Sequence, residues 1–322
     1  MATTLRWQPN PNYGSAILVS DPFDLDPFDL PPALQPATGT DFAHEYDVRQ
    51  WAPDSPGHQA GWTRRAAEAR DTLPGLRDLR YGPTEAETLD LFLPAPDTRP
   101  APLLVFLHGG FWRKLHKDDF SWIAPPWVAE GVAVAIVNYG LAPSTPLEEI
   151  VAQTRRSLVW LHRQAGHYGI DAGRLVVSGH SAGGHLSCMA LATHWPAQAA
   201  DLPARMIAAG VALSPVVDLA PLAAVPMLHD DVDFTAERIA QLSPIRLTPA
   251  TAAPLIGAVG GAESPEFRRH LALLAHCWSA VWQGTVPMPG HDHLTLCDAF
   301  ADPHSALFKR SLELIRALPA SV

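Results

Sequence analysis

The chain has 322 residues, 47% of them apolar and 17% charged, with a formal net charge of −10. That composition supplies a large core and excludes a wholly disordered chain, and an acidic surface without a Lys/Arg cluster argues against a nucleic-acid partner. No uncharged apolar run reaches membrane-spanning length, so no membrane partner is expected. The N-terminus MATTLRWQPN lacks the basic-then-apolar order of a secretory signal. Cys188, Cys277 and Cys297 are far apart and odd in number, which suits reduced thiols in a cytoplasmic protein better than disulfides.

Residues 1–70 stand apart. They carry D-P-F-D-L twice in tandem (Asp21–Leu25, Asp26–Leu30), then PPALQP, with Trp7, Tyr13, Phe23, Phe28, Trp51 and Trp62 scattered between prolines. Proline at this density argues against long helices and central strands. A free tail would not carry so many large aromatics, so the expectation is an irregular arm packed on the remainder, 71–322. From about residue 75 short apolar runs alternate with helical patterns. LRDLRYG and ETLDLFLP read as an edge hairpin. LLVFL (103–107), VAVAIVN (132–138), RLVVSG (174–179), AGVALS (209–214), PLIGAVG (254–260) and AVWQGTVPM (280–288) read as further strands. Helices are expected near 119–130, 146–168, 182–194, 264–278 and 295–317. Apolar strands separated by helices imply an α/β fold, an eight-stranded, mostly parallel sheet covered on both faces.

In such a sheet, functional groups collect at the carboxyl ends of the strands. RLVVS runs into G-H-S-A-G (179–183) and then a helical pattern. Glycines on either side of Ser181 permit a tight strand-to-helix turn that lifts the hydroxyl above the sheet edge, beside a helix N-terminus. Ser181 is therefore the candidate nucleophile, and a structural turn serine is the alternative. LLVFL runs into H-G-G-F-W (108–112). This is either a plain glycine turn or a loop that aims N–H groups at a developing oxyanion. Gly110, Phe111 and Ala182 are the expected donors, Gly109 shapes the loop and His108 holds it.

A serine at neutral pH needs a base. The last strand leads into P-G-H-D-H-L (289–294), where two histidines flank Asp292. A metal pair would need a third ligand, which is not evident. His293 stands directly before Leu294 and the terminal helix, whereas Gly290-His291-Asp292 reads as the turn leading in, so His293 is preferred over His291. For the acid, Glu263 follows PLIGAVG and precedes a helix near Pro265; its bland role would be to complement that helix N-terminus. Asp218, after AGVALS, is the competitor. Trp112, Trp122, Trp127 and Tyr139 lie in or near loops and could line a pocket or belong to the core.

Taken together, H-G-G-F-W, V-N-Y-G-L-A-P (137–143), S-G-H-S-A-G-G-H-L (178–186) and E-S-P-E-F (263–267) resemble the α/β-hydrolase superfamily, in its esterase/lipase group and near the kynurenine formamidases (arylformamidases). His180 where hormone-sensitive-lipase relatives have aspartate, and Phe111-Trp112 after two glycines, favour the formamidase branch. That branch has D-S-P-E-F, so Glu263 departs from it by one methylene. The resemblance also matches His293, not His291, to the branch's histidine. It implies a Ser181–His293–Glu263 triad, no metal or organic cofactor, and a small-molecule acyl amide or ester as partner. Trp112 and Tyr139 are candidate pocket walls. A homodimer is compatible with the sequence. N-formylkynurenine is the implied substrate, with a short-chain carboxylesterase as the alternative and a catalytically silent binding protein as the reading from another class.

Overall fold

The structure is a computed structural model that describes residues 30–320. The tandem D-P-F-D-L segment up to Asp29, with Trp7, Tyr13, Phe23 and Phe28, lies outside the described residues. Eight strands form one sheet: β1 (Gly75–Arg80), β2 (Thr88–Phe92), β3 (Ala101–Leu107), β4 (Ala133–Val137), β5 (Ile170–His180), β6 (Ala209–Leu213), β7 (Leu255–Gly260) and β8 (Trp282–Met288). Their order is β1-β2-β4-β3-β5-β6-β7-β8. The β1–β2 and β2–β4 pairs are antiparallel, and every other pair is parallel. The expected leading hairpin is thus one edge of the sheet.

Twelve α-helices accompany it among the described residues: α1 (Phe42–Glu45), α2 (Val48–Trp51), α3 (Ser55–Thr72), α4 (Ala124–Ala129), α5 (Leu147–Gln164), α6 (Ala182–Leu191), α7 (Trp195–Gln198), α8 (Pro226–His229), α9 (Ala236–Leu242), α10 (Pro265–Cys277), α11 (Thr295–Phe300) and α12 (Ala306–Arg316). The period-two geometry of a strand splits the core into two layers. On β3, Leu103, Val105 and Leu107 pack with α5, α6 and α10, while Leu104 and Phe106 pack with α3, α4, α11 and α12. Because both faces are covered, β2, β4 and β6 are buried along their whole length. β4 and β6 accordingly read as continuous apolar runs, while β2 alternates and buries Asp90 against Lys117.

Three expectations need correction. The stretch before residue 71 is not irregular throughout: its described part holds α1, α2 and the 18-residue α3. Pro56 occupies the first turn of α3, where the missing N–H breaks no helical bond, so a high proline count did not exclude a helix. Tyr46 and Trp62 of this stretch are fully buried, against α10 and against Phe120 and Trp122 respectively. The helix expected over 119–130 is a pair of 3-10 turns followed by α4, with Pro125 and Pro126 in its first turn. The helix expected over 295–317 is broken into α11 and α12. Pro303 interrupts it, and Ser305 restarts the chain by accepting the Phe308 N–H at 2.9 Å. The 221–242 excursion with α8 and α9, between β6 and β7, was not expected at all.

The strand order fixes where chemistry can occur. β3 and β5 are neighbours, yet β3 connects to β4 on one side and β5 connects to β6 on the other. A crevice opens outside the carboxyl ends at such a divergence. Leu107 pairs with Gly179 in register, so H-G-G-F-W and G-H-S-A-G emerge side by side there.

Candidate active site

β5 ends at His180 and α6 begins at Ala182, leaving Ser181 alone to make the turn at φ 57°, ψ −116°. A non-glycine residue reaches positive φ only when its surroundings over-determine it. Here the Ser181 N–H donates to Leu213 O at 2.9 Å, and His185 N–H donates to Ser181 O at 3.0 Å. The flanking glycines answer to close approach. A Cβ on Gly179 would stand 2.2 Å from Gly183 O, and one on Gly183 would stand 1.9 Å from Leu107 O.

The H-G-G-F-W loop lies against this turn. A Cβ on Gly109 would come within 3.2 Å of the Ser181 Cβ, and Gly110 sits at φ 105°, where a Cβ would meet Lys114 O at 2.3 Å. Phe111 and Trp112 follow at φ 52° and 58°. Successive positive φ values rotate the peptide planes of this loop away from strand geometry. Among the described residues the N–H groups of Gly110, Phe111 and Ala182 make no hydrogen bond to the chain. His108 sits behind the loop, with its Nδ1–H donating to Gly109 O at 2.9 Å and its ring stacked on Tyr139 at 4.2 Å. Burial pushes its pKa down to about 4, so it is neutral and brings no charge to the loop.

The two late histidines part company. His293 is buried, and its Nδ1–H donates to Glu263 Oε2 at 2.6 Å. That bond fixes the tautomer and leaves Nε2 as the acceptor. The His293 carbonyl accepts the His180 Nε2–H at 2.8 Å, and the two rings lie 4.4 Å apart, which moors His293 beside the residue preceding Ser181. Burial first, and then the neighbouring His293, holds the His180 pKa well below the usual histidine range, so His180 stays a neutral donor. Phe267 covers another side of the His293 ring at 4.2 Å. His291 instead donates from Nδ1 to Thr295 O at 3.2 Å, within its own loop. Asp292 accepts from the Leu294 and Thr295 N–H groups at 2.9 and 2.8 Å and so shapes the turn. No group of three or more His, Cys, Asp or Glu among the described residues is placed to hold a metal ion.

Glu263 is fully buried at the end of β7. Its loop is stitched to the histidine loop by Gly261 N–H to Met288 O at 2.9 Å and Ala262 N–H to His291 O at 3.0 Å. Gly260 permits this, since a Cβ there would meet His291 O at 2.2 Å. Asp218 is engaged elsewhere, 3.4 Å from Arg269, which also holds Glu266 at 2.7 Å. Around that pair His270 accepts the Val217 and Asp218 N–H groups at Nδ1 and bonds Tyr46 Oη at 2.7 Å through Nε2. Glu263→Gln is expected to keep the fold and lower kcat by about two to four orders of magnitude, because an amide cannot stabilise an imidazolium. Asp218→Asn should cost less than about tenfold. The opposite ranking of the two in a steady-state assay would reassign the acid.

The two candidate pocket walls are not walls. Trp112 is 0% exposed and Tyr139 1% exposed. Trp112 donates from Nε1 to His185 Nδ1 at 3.2 Å, and Tyr139 donates to His108 O at 2.6 Å. A ring with a polar tip that finds a partner inside the protein serves as core, and here both rings brace the H-G-G-F-W loop from behind. Ser214 and His180 touch the site; the sequence singled out His180 only as a mark of family resemblance, with no role in the site, and Ser214 not at all. The signal for both was position: His180 ends β5, and Ser214 follows β6, at the sheet edge where site residues gather.

A family model described as BD-FAE matches residues 89–237. Among curated proteins, the kynurenine formamidase of Danio rerio is 30% identical over 236 residues, covering 70% of this chain and 78% of its own. The kynurenine formamidase of Salmo salar is 34% identical over 206 residues, covering 62% and 67%. Among solved structures, a Silicibacter sp. TM1040 protein provisionally described as a thioesterase superposes with a TM-score of 0.75 at 29% identity, covering 87% of this chain and 100% of its own. The carboxylesterase EstE1, cloned from a metagenomic library, shares the fold with a TM-score of 0.60 at 17% identity, covering 81% and 95%. With that fold and those relatives, the chain belongs to the esterase/lipase group of the α/β-hydrolase superfamily, as a relative of the kynurenine formamidases.

Proposed function

We propose that this protein is a serine hydrolase that removes a small acyl group, and that aryl formamides of the N-formylkynurenine type are its substrates. Ser181 Oγ attacks the carbonyl while His293 Nε2 takes its proton. Glu263 holds the imidazole and stabilises the imidazolium, and the Gly110, Phe111 and Ala182 N–H groups receive the oxyanion. Collapse of the tetrahedral intermediate expels the amine, which takes the proton from His293, and water then releases formate from the acyl-enzyme by the same steps in reverse. The observation that carries this reading is the 2.6 Å bond from His293 Nδ1 to a buried Glu263, beside a serine at φ 57° on a strand-to-helix turn. A purely binding role would give no reason to keep that strain and that buried carboxylate together.

The formamide preference rests on the kynurenine formamidase relatives and on the inference that Phe111, a large buried residue in the loop of the expected oxyanion donors, leaves little room on the acyl side. Trp112, expected as a pocket wall, offers no surface to the aryl amine, since that ring is buried. An extra methylene in a tight apolar site changes discrimination by about 1–3 kcal/mol. We therefore expect kcat/KM to fall steeply from formyl and acetyl to butyryl and longer acyl groups. N-formylkynurenine should be cleaved at least as efficiently as 4-nitrophenyl acetate. A preference for hexanoyl or octanoyl esters, with no formamide cleavage, would favour the second reading. That reading is a short-chain carboxylesterase with the same machinery, in keeping with the esterase folds.

A further inference from the structure

Glu263 is longer by one methylene than the aspartate of the D-S-P-E-F pattern that its segment resembles, and the surroundings of its carboxylate use that length. Both oxygens are engaged. Oε2 accepts from His293 Nδ1–H at 2.6 Å, while Oε1 accepts from the Ser214 hydroxyl at 2.5 Å and from Gly260 N–H at 2.7 Å. A carboxylate only accepts, so the Ser214 hydroxyl must donate. We propose that Ser214 is a positioning residue for the catalytic acid: it fixes the rotation of the Glu263 carboxylate and makes this a site for glutamate rather than aspartate. The proposal rests on the Ser181–His293–Glu263 reading above.

All three donors are anchored independently of the carboxylate. Ser214 directly follows β6, is fully buried, and holds φ 41° with its N–H donating to Ala258 O at 2.8 Å. Gly260 ends β7, and His293 is moored through its carbonyl to His180. With donors on three separate segments, the carboxylate has one orientation that satisfies them all. Without the hydroxyl, Oε1 keeps only the Gly260 N–H and the carboxylate can turn about its last torsion, which is soft for an sp3–sp2 bond. Shortening the arm withdraws the carboxyl by about 1.5 Å, beyond the spread of good hydrogen-bond lengths, so an aspartate cannot serve Ser214 and His293 together. The only hydrogen bond of the Ser214 side chain among the described residues is the one to Glu263, so its removal disturbs no other polar contact.

The test is kinetic, with 4-nitrophenyl acetate, on wild type, Ser214→Ala, Glu263→Ala, the double variant and Glu263→Asp. Ser214→Gly is a second probe suited to the positive φ should Ser214→Ala fold poorly. Ser214→Ala should lower kcat by about 10- to 100-fold with KM within about threefold, the loss expected of a buried bond to a charged group. On the Glu263→Ala background the same change should cost less than about threefold, since the hydroxyl then has no carboxylate to hold. Glu263→Asp should lose at least about tenfold, and adding Ser214→Ala to it should again cost little. Equal losses from Ser214→Ala on both backgrounds would reveal a merely structural serine and overturn the proposal. So would a Ser214→Ala enzyme within threefold of wild type while Glu263→Ala is crippled, and in that case the triad stands. Wild-type turnover by Glu263→Ala would remove the acid assignment and this proposal with it.

Discussion

Ser181→Ala should fold as the wild type does and turn over substrate about four to six orders of magnitude more slowly, the scale on which triad serines fail elsewhere. The variant places the same kind of backbone on the strand-to-helix turn: alanine and serine are equally strained at φ 57°, and the Ser181 N–H bond to Leu213 O is a backbone bond that survives. Circular dichroism and the unfolding midpoint should therefore be unchanged within error while the nucleophile is gone. A fluorophosphonate should label the wild type at Ser181 and leave the variant unlabelled. A variant retaining a rate within tenfold of wild type would remove the covalent mechanism altogether.

His293→Ala should fall nearly as far, because nucleophile and base act as a unit and the loss of either removes most of what both supply. It also leaves Glu263 buried with one donor fewer, so some loss of stability is expected with the loss of rate. His291→Ala breaks only a 3.2 Å bond to Thr295 O in a partly exposed turn, and should cost no more than about tenfold through looser placement of the loop. Chelators should change neither enzyme. If the two variants rank the other way in kcat, or if EDTA inactivates the protein and zinc restores it, the division of roles between the two histidines is wrong.

Much of the fold could be read directly. The runs in the middle of the sheet, those of β3 to β7, are apolar because these strands are covered on both faces, whereas β8 at the edge alternates buried and exposed residues, and burial of that kind leaves its mark on composition. The turn at Ser181 was legible for a local reason as well, since Gly179 and Gly183 are there to admit neighbouring backbone, and glycine spacing is a sequence property. The helices read less well where proline decided the outcome. Pro56 opens α3 in a stretch whose proline density argued against long helices, while Pro303 divides the single helix expected over 295–317, and the deciding factor is whether the lost N–H falls in the first turn. The α8–α9 excursion left little trace because its residues are fixed by contacts with the rest of the molecule, among them the Arg113–Asp231 ion pair and Phe234 against Trp112.

Residue types and order by themselves determined an α/β sheet with a serine turn after β5, a glycine loop after β3 and a histidine loop after the last strand. Each of these is a short-range pattern on one segment. Tertiary structure alone decided which carboxylate meets which imidazole, and that Trp112 and Tyr139 brace the site from within the core. It also brought Ser214, 49 residues away in the chain, onto Glu263. The physical reason is that a hydrogen bond between segments depends on strand order and on the register of neighbouring strand ends. Here β6, β7 and β8 lie side by side, so three separate loops converge on one buried carboxylate.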